Sequence, residues 1–165
     1  MIFTNAQSDR LLHSKSGVIL RNVALAMHIP NLRSPREPVG GLVYFGRMLD
    51  KIRLRTEDKL PADYLPNLGI GFDERCLRFL HVTYEDLVAR VKAGGTDEEL
   101  LAWCFEHGRK PTEEEVMVWN AFMAKRGWRD EASARLQERL PDYGLAGRED
   151  IATFFDVIDA DEGRL

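Results

Sequence analysis

Two consecutive stretches, TDEELLAWCFEHG over residues 96–108 and TEEEVMVWNAFMAKRG over residues 112–127, decide the fold. Each begins with a threonine that is followed three residues later by a glutamate, and each ends at a glycine. In such a capping box, the threonine hydroxyl and the glutamate carboxylate each accept a hydrogen bond from a backbone N–H group that the helix leaves free. Glycine closes a helix readily because it adopts a left-handed backbone without steric cost. Both stretches therefore predict α-helices.

A third segment follows the same plan in a weaker form, with Thr83 three residues before Asp86 and an end at Gly94. In all three segments the capping residue, the helical spacing of the apolar residues and the terminal glycine indicate the same helix. Random sequence rarely shows such consistency. Further helices are expected from Pro38 to about Arg53, after a cap at Asp73, from Asp130 to about Leu140, and from about Glu149 onward. The wide apolar surface of residues 113–126 marks the central, most buried helix. The predicted fold class is all-α, a compact bundle of about six to seven short helices with capped N-termini.

Two segments lie outside this helical pattern. The connection from Arg55 to Phe72 contains two prolines and two glycines, which exclude a regular helix and predict one long irregular connection after the first helix. Residues 1–26 have mixed polarity and no sustained period, and Met27 stands just before the first structured motif. We expect residues 1–26 to be an N-terminal extension, weakly ordered or produced by an upstream start. Residues 27–165 should form a single helical domain.

Composition narrows the classes of function. The formal net charge of −4 argues against a dedicated nucleic-acid binder, which carries a basic face toward the phosphates. No stretch approaches the roughly 18 consecutive apolar residues that a membrane-spanning helix needs. The chain has two cysteines, Cys76 and Cys104, without the paired spacing of a disulfide scaffold. The N-terminal residues loosely resemble a signal peptide, but Arg21 and Asn22 interrupt the apolar region that a signal peptide requires. We therefore expect a soluble, cytoplasmic protein with no membrane partner.

Cysteine and histidine offer one candidate metal site. Cys104 and His107 are one helical turn apart, as two ligands of one zinc ion would be, and Cys76 with His81 could complete the set. The structural interpretation is stronger, because Cys104 continues an apolar stripe and His107 lies in the last turn, where imidazole interacts well with the helix dipole. Residues 156–163 have the composition of a calcium loop but not its spacing. The sequence predicts no metal site and no cofactor.

The strongest candidate for a ligand site is the proline-rich segment that carries Arg33 and Arg36. It lies just before Gly40 and Gly41, at the expected N-terminus of the first helix, where free backbone N–H groups and the helix dipole bind phosphate or carboxylate. In the alternative interpretation, Glu37 neutralises this turn and the glycines only allow close packing.

A second candidate is the junction KRGWRD over residues 125–130, which concentrates charge around an aromatic side chain. It suits stacking on a base or contact with an acidic partner. Alternatively, Lys125 and Arg126 complement the helix dipole, and Asp130 caps the next helix. One polar face of the first helix carries Tyr44, Arg47 and Asp50, which could join either site or simply face the solvent. The predicted ligand-binding residues are Arg33, Arg36, Arg47, Trp128 and Arg129.

Several distinct short motifs of this sequence occur in order, and together they resemble those of one protein family. They are LRSPRE, VGGLVYFGRMLDK, GGTDEELLAWCFEHGRKP, WNAFMAKRGWRD and DIATFFDVIDADEGR, and they span about residues 29–164. The family is one of short bacterial proteins catalogued as a domain of unknown function, DUF5069. The resemblance implies that residues 1–26 lie outside the family unit, and it implies no activity.

Three functions follow from these observations. The first is a non-catalytic binding or interaction module for an anionic small molecule or an acidic protein partner, because helical folds present grooves and no catalytic motif is visible. The second is an enzyme acting on a small anionic substrate, with His107, Asp50 or Asp130 as acid or base beside arginine anchors; its catalytic residues are unknown. The third is a weak nucleic-acid binder, which needs one surface made of Lys51, Arg53, Arg55, Lys125, Arg126 and Arg129.

Overall fold

The structure is a computed structural model that describes residues 28–165. Within this range the chain forms seven α-helices and two 3-10 helices, and it forms no strand. The α-helices are α1 (Phe45–Thr56), α2 (Phe72–Leu80), α3 (Tyr84–Lys92), α4 (Asp97–His107), α5 (Glu113–Lys125), α6 (Ser133–Arg139) and α7 (Phe154–Asp161). The first 3-10 helix is Ala62–Asn67 and the second is Leu140–Tyr143. The all-α prediction is confirmed, while the predicted extension, residues 1–26, lies outside the described residues.

Threonine caps begin four of these helices. In α4 and α5 the hydroxyls of Thr96 and Thr112 accept hydrogen bonds from backbone N–H groups three residues later, and both capping boxes are complete. Thr83 caps α3 through the backbone N–H of Asp86. The fourth cap, Thr153 of α7, was not predicted, and α7 begins there rather than near residue 149. A threonine three residues before an acidic residue thus marks a helix start each time.

The first helix begins at Phe45, later than the sequence predicted. Val39 and Leu42 exchange backbone hydrogen bonds of 3.1 and 2.9 Å and close a turn over Gly40 and Gly41. These two glycines have φ of +55° and +84°, which an α-helix does not allow. The interpretation of Gly40 and Gly41 as a helix N-terminus is therefore wrong.

Helix α1, rather than α5, lies at the centre of the fold. Every residue from position 45 to position 52 is buried, and the main core cluster packs side chains of α2, α3, α4, α5 and α7 against it. The prediction that α5 is the most buried helix is wrong, since Met117 and Val118 are 63% and 59% exposed. The central position of α1 places its charged residues Arg47, Asp50 and Lys51 inside the protein, although Arg47 and Asp50 were expected on a polar face.

The connection after α1 packs on the core and is not wholly irregular. It contains the first 3-10 helix. Tyr64 and Leu68 cover a small hydrophobic cluster made by Ile29, Leu32, Leu54 and Leu60. Another small cluster joins α6, the second 3-10 helix and α7. Between residues 28 and 165, no helix has both the length and the apolar character that crossing a membrane requires.

Candidate functional site

The described chain contains a cleft of about 1190 Å³. Residues of the first 3-10 helix, α2, α5, α6 and α7 line it, and the buried residues Arg47 and Lys51 of α1 form its base. Ligand pockets in proteins commonly measure about 300–1,000 Å³, so this cleft has room for a cofactor-sized molecule.

One buried polar cluster at the base of the cleft joins α1 to α2. The Lys51 ammonium lies 2.6 Å from Oδ1 of Asp73 and 3.3 Å from the hydroxyl of Tyr44, and that hydroxyl donates to the same carboxylate oxygen at 2.9 Å. The other oxygen of Asp73 accepts the backbone N–H of Gly69 at 3.0 Å. Lys51 and Tyr44 line the cleft, and Asp73, with none of its surface exposed, lies behind them.

Local backbone conformation positions this cluster. Tyr44 has φ of +72°, a conformation that costs a bulky residue about 1–3 kcal/mol and that persists only where its surroundings hold it. Its ring packs against Phe72 and Phe155, with centroids 5.4 and 6.2 Å away. Helix α2 begins at Phe72 with Gly71 in the cap position, so the interpretation of Asp73 as a helix cap is wrong. Asp73 lies in the first turn and reaches the polar cluster instead.

A second buried polar cluster surrounds Glu162, which is 2% exposed. Both guanidinium ends of Arg47 donate to its carboxylate, one of them at 3.0 Å. The hydroxyl of Tyr64 and the guanidinium of Arg164 each donate at 2.6 Å. Arg47 also donates to the carbonyl of Arg33 at 2.9 Å. These bonds join α1, the first 3-10 helix and the chain after α7 in one network.

Burial and charge move the pKa values of the two clusters in different directions. Burial opposes the charged forms of Glu162 and Arg47, but their mutual hydrogen bonds outweigh it, so the pKa of Glu162 falls and that of Arg47 rises. For Lys51 burial outweighs the attraction of Asp73, and its pKa is lowered. Burial, assisted by Asp73, raises the pKa of Tyr44. The Arg47–Glu162 pair therefore stays charged, whereas Lys51 releases its proton more easily than an exposed lysine.

Arginine and aromatic side chains form the walls above this base. The guanidinium groups of Arg75 and Arg126 lie 5.5 and 5.4 Å from the ring centroid of Phe122, and that of Arg135 lies 5.3 Å from the centroid of Phe154. Arg126 is paired with two carboxylates. Within residues 28–165, three of the arginines that line the cleft form no ion pair, and all three are exposed: Arg75, Arg135 and Arg139.

A family comparison covers the part of the chain that forms this cleft. A family model described as a domain of unknown function, DUF5069, matches residues 29–164. The chain belongs to this family. Every lining residue of the cleft among residues 28–165 lies within the matched range, so the described part of the cleft belongs to the DUF5069 unit. No curated protein matches the chain.

The five residues predicted to bind a ligand do not meet in the DUF5069 unit. Only Arg47 lines the cleft, at its base. Arg33 forms a two-pronged ion pair with Asp50, at 2.6 and 2.7 Å, and contacts Asp97 at 2.7 Å. It lines a separate cavity of about 550 Å³. Arg36 pairs with two carboxylates of α7 and lies 5.6 Å from the centroid of Phe155.

Trp128 and Arg129 lie outside the cleft, at the junction between α5 and α6. The guanidinium of Arg129 lies 5.3 Å from the ring centroid of Trp128, which is 48% exposed. These two side chains therefore stack on each other. The five-residue site stays a prediction, and three of its four arginines already hold carboxylates.

The residues considered for metal binding or acid–base chemistry are also separate. Cys104 is fully buried, and His107 is exposed, stacked on Trp103 with ring centroids 4.5 Å apart. Among the described residues, no three potential ligands cluster to hold a metal ion. Asp50 is bound by Arg33, and Asp130 accepts the backbone N–H groups of residues 127 and 132. None of these groups lines the cleft.

The basic surface proposed for nucleic acid is incomplete, because Lys51 is 5% exposed and paired with Asp73. Sequence reasoning named Tyr44 beside Arg47, but it did not assign the other residues at the base of the cleft to a ligand site: Lys51, Tyr64, Asp73 and Glu162. A usable signal exists in α1, where charged residues fall on several sides of a helix that is otherwise apolar. Such a pattern indicates a buried helix that carries paired charges.

Proposed function

We propose that the cleft binds an anionic small molecule that carries a flat, apolar ring. The observation that supports this most is a set of three arginines, Arg75, Arg135 and Arg139, at a concave, partly aromatic surface, which pair with no carboxylate of residues 28–165. Arginine binds carboxylate and phosphate groups with two parallel hydrogen bonds, and it also stacks on aromatic rings. A guanidinium that no carboxylate neutralises is therefore available to an anion from solution.

The walls of the cleft favour a ligand with a ring. Phe79 and Trp119 stack with centroids 4.7 Å apart, and Phe122 is 39% exposed at the edge of the same cleft. Aromatic side chains gain free energy from stacking on a planar group beyond the area they bury. The net charge of −4 disfavours a polyanion, whose binding would require a broad basic face.

A ligand screen tests the proposal. The full chain is mixed with nucleotides, aromatic carboxylates and aromatic phosphates, and thermal shift followed by calorimetry measures binding. The double variant Arg135→Ala with Arg139→Ala should weaken binding of any hit at least tenfold, because a hydrogen bond to a charged group contributes about 1.5–3 kcal/mol. Both side chains are exposed, so the fold should be retained.

The matched control removes two arginines of the sequence-predicted site, by Arg36→Ala with Arg129→Ala. Binding should be unchanged in this control. The proposal fails if no anionic ligand raises the melting temperature, or if the control variant loses binding while the cleft variant keeps it. The second result would favour the five-residue site instead.

A further inference from the structure

The cluster of Lys51, Tyr44 and Asp73 is more polar than the packing of α1 against α2 requires. A buried ion pair of this kind is often no more stabilising than apolar side chains of similar volume, because both charges lose their hydration. Tyr44 also holds a strained backbone conformation, at φ +72°, and its hydroxyl contacts both partners. Costly polar groups and local strain occur together at sites of chemistry more than elsewhere.

The cluster also borders the cleft, although its members are largely buried. Lys51 and Tyr44 line the cleft, while Asp73 is sealed behind them. A molecule in the cleft would therefore meet the amine and the phenol first, with the carboxylate next to the amine at 2.6 Å. These are the three groups that carbonyl condensation uses: a nucleophilic amine, a proton donor and a proton acceptor.

We propose that Lys51 condenses with the carbonyl group of the anionic ligand to form an imine, so that the ligand class is an aromatic aldehyde or 2-oxo acid carrying phosphate or carboxylate. This inference rests on the proposed function, since Arg75, Arg135 and Arg139 hold the anionic group while the carbonyl reaches Lys51. Lysine is a suitable nucleophile for carbonyl carbon once its amine is deprotonated, and burial beside Arg47 favours the neutral amine.

The step balances within the cluster. Asp73 accepts one proton from the Lys51 ammonium, and the nitrogen lone pair forms a bond to the carbonyl carbon. The carbonyl oxygen takes the nitrogen's second proton to become a hydroxyl. Tyr44 then donates its proton to that hydroxyl, which leaves as water while the C=N bond forms, and the proton on Asp73 restores the phenol. The sum is ammonium plus carbonyl giving protonated imine plus water, so charge and protons balance, and no oxidant or reductant is needed.

Reductive trapping tests this inference on the full, unaltered chain. The protein is incubated with pyridoxal 5′-phosphate or phenylpyruvate and cyanoborohydride, and peptide mapping by mass spectrometry measures the modification of each lysine. Lys51 should be modified faster than the exposed Lys59, Lys92, Lys110 and Lys125. The inference would be overturned if the exposed lysines are modified as fast as Lys51 or faster, or if Lys51 is not modified at all.

Two variants test the roles of the groups. Lys51→Arg should abolish trapping at this position, and Tyr44→Phe should slow it by roughly 10²-fold, the usual contribution of a positioned proton donor. Tyr44→Phe keeps the aromatic packing, so its melting temperature and its affinity for the ligand serve as the check on folding. An unchanged trapping rate in Tyr44→Phe would contradict the assigned role of the phenol.

An alcohol analogue separates this inference from the proposed function. Pyridoxine 5′-phosphate has the ring and the phosphate but no carbonyl. Suppose that pyridoxine 5′-phosphate binds and that Arg135→Ala with Arg139→Ala weakens this binding, while the aldehyde gives no adduct on Lys51. Only the condensation is then refuted. If phosphate-free pyridoxal labels Lys51 as fast as pyridoxal 5′-phosphate, the condensation is supported and the anion-binding arginines are not. If nothing binds and nothing is trapped, both proposals fail.

Discussion

At the residue scale, Glu162 shows how long-range partners set the electrostatics of this protein. Its carboxylate accepts hydrogen bonds from Arg47 and Tyr64, which are about a hundred residues away along the chain. Arg33 and Arg36 likewise hold carboxylates on other elements. Two arginines separated by a serine and a proline resemble an anion site in the sequence, and only the folded chain places carboxylates beside them.

Replacing Glu162 by glutamine should cost about 3–5 kcal/mol of unfolding free energy at pH 7, because Arg47 would keep its charge in a buried place without its partner. Hydrogen bonds from Arg47 lower the pKa of Glu162 in the fold despite burial, so its contribution is complete above the unfolded value of about 4.3. It is lost as the pH falls through the folded pKa. The difference in unfolding free energy between Glu162→Gln and the unaltered protein should therefore become smaller in acid. Urea unfolding from pH 7 to pH 3 measures this difference.

A matched control is Asp150→Asn, which breaks an exposed pair with Arg148. Exposed pairs contribute about 0–1 kcal/mol, so this variant should be close to neutral at every pH. Two results would contradict the assigned electrostatics. One is a similar loss of unfolding free energy in both variants, and the other is a loss for Glu162→Gln that grows in acid.

At the element scale, local signals predicted the helices well where a cap and its partner are three residues apart. Thr83, Thr96 and Thr112 are such caps, and all the atoms involved are neighbours in sequence. The start of α1 was missed because Gly40 and Gly41 take left-handed conformations that the letters alone do not reveal. The glycines that follow helices also differ from one another in backbone conformation.

Gly108 ends α4 with φ of −122°, so a left-handed turn does not explain it. A Cβ atom at this position would lie 2.1 Å from the backbone carbonyl oxygen of Leu80, at the end of α2. Gly108→Ala should therefore destabilise the protein by roughly 1–3 kcal/mol, since two backbones would have to separate. Chemical denaturation measures the loss.

Gly147→Ala is the comparison for this prediction. Gly147 has φ of +79° with open space where a Cβ would stand, so its substitution introduces backbone strain without a clash. The strain should cost about 1–2 kcal/mol. Helix α4 and the end of α2 should become less protected from hydrogen exchange in Gly108→Ala only. If protection there is unchanged, close approach is not the reason for this glycine.

At the scale of the whole molecule, the sequence predicted the class of fold and the extent of the family unit, and it did not predict the cleft. The fold class follows from periodicity, which is local. The cleft depends on how α1, α2, the first 3-10 helix, α5, α6 and α7 pack together, and no spacing along the chain encodes that arrangement. Arg47 was the one predicted site residue that this arrangement brings to the cleft.

The predicted domain boundary can be tested directly. A chain that starts at Met27 should fold with the same melting temperature as the full chain, within about 2 °C, because the matched family range begins at residue 29. Circular dichroism during heating measures this, and binding by the cleft should be retained. A large fall in melting temperature would show that residues 1–26 belong to the folding unit.

The two cysteines offer a measurement that needs no substitution. The chain has only Cys76 and Cys104, both sealed in the main core, and burial raises the pKa of each thiol. A thiol reagent in solution can reach neither sulfur unless the helices around α1 open. Labelling kinetics thus report the opening of the core directly, and a ligand that closes the cleft should slow the reaction in proportion to its occupancy.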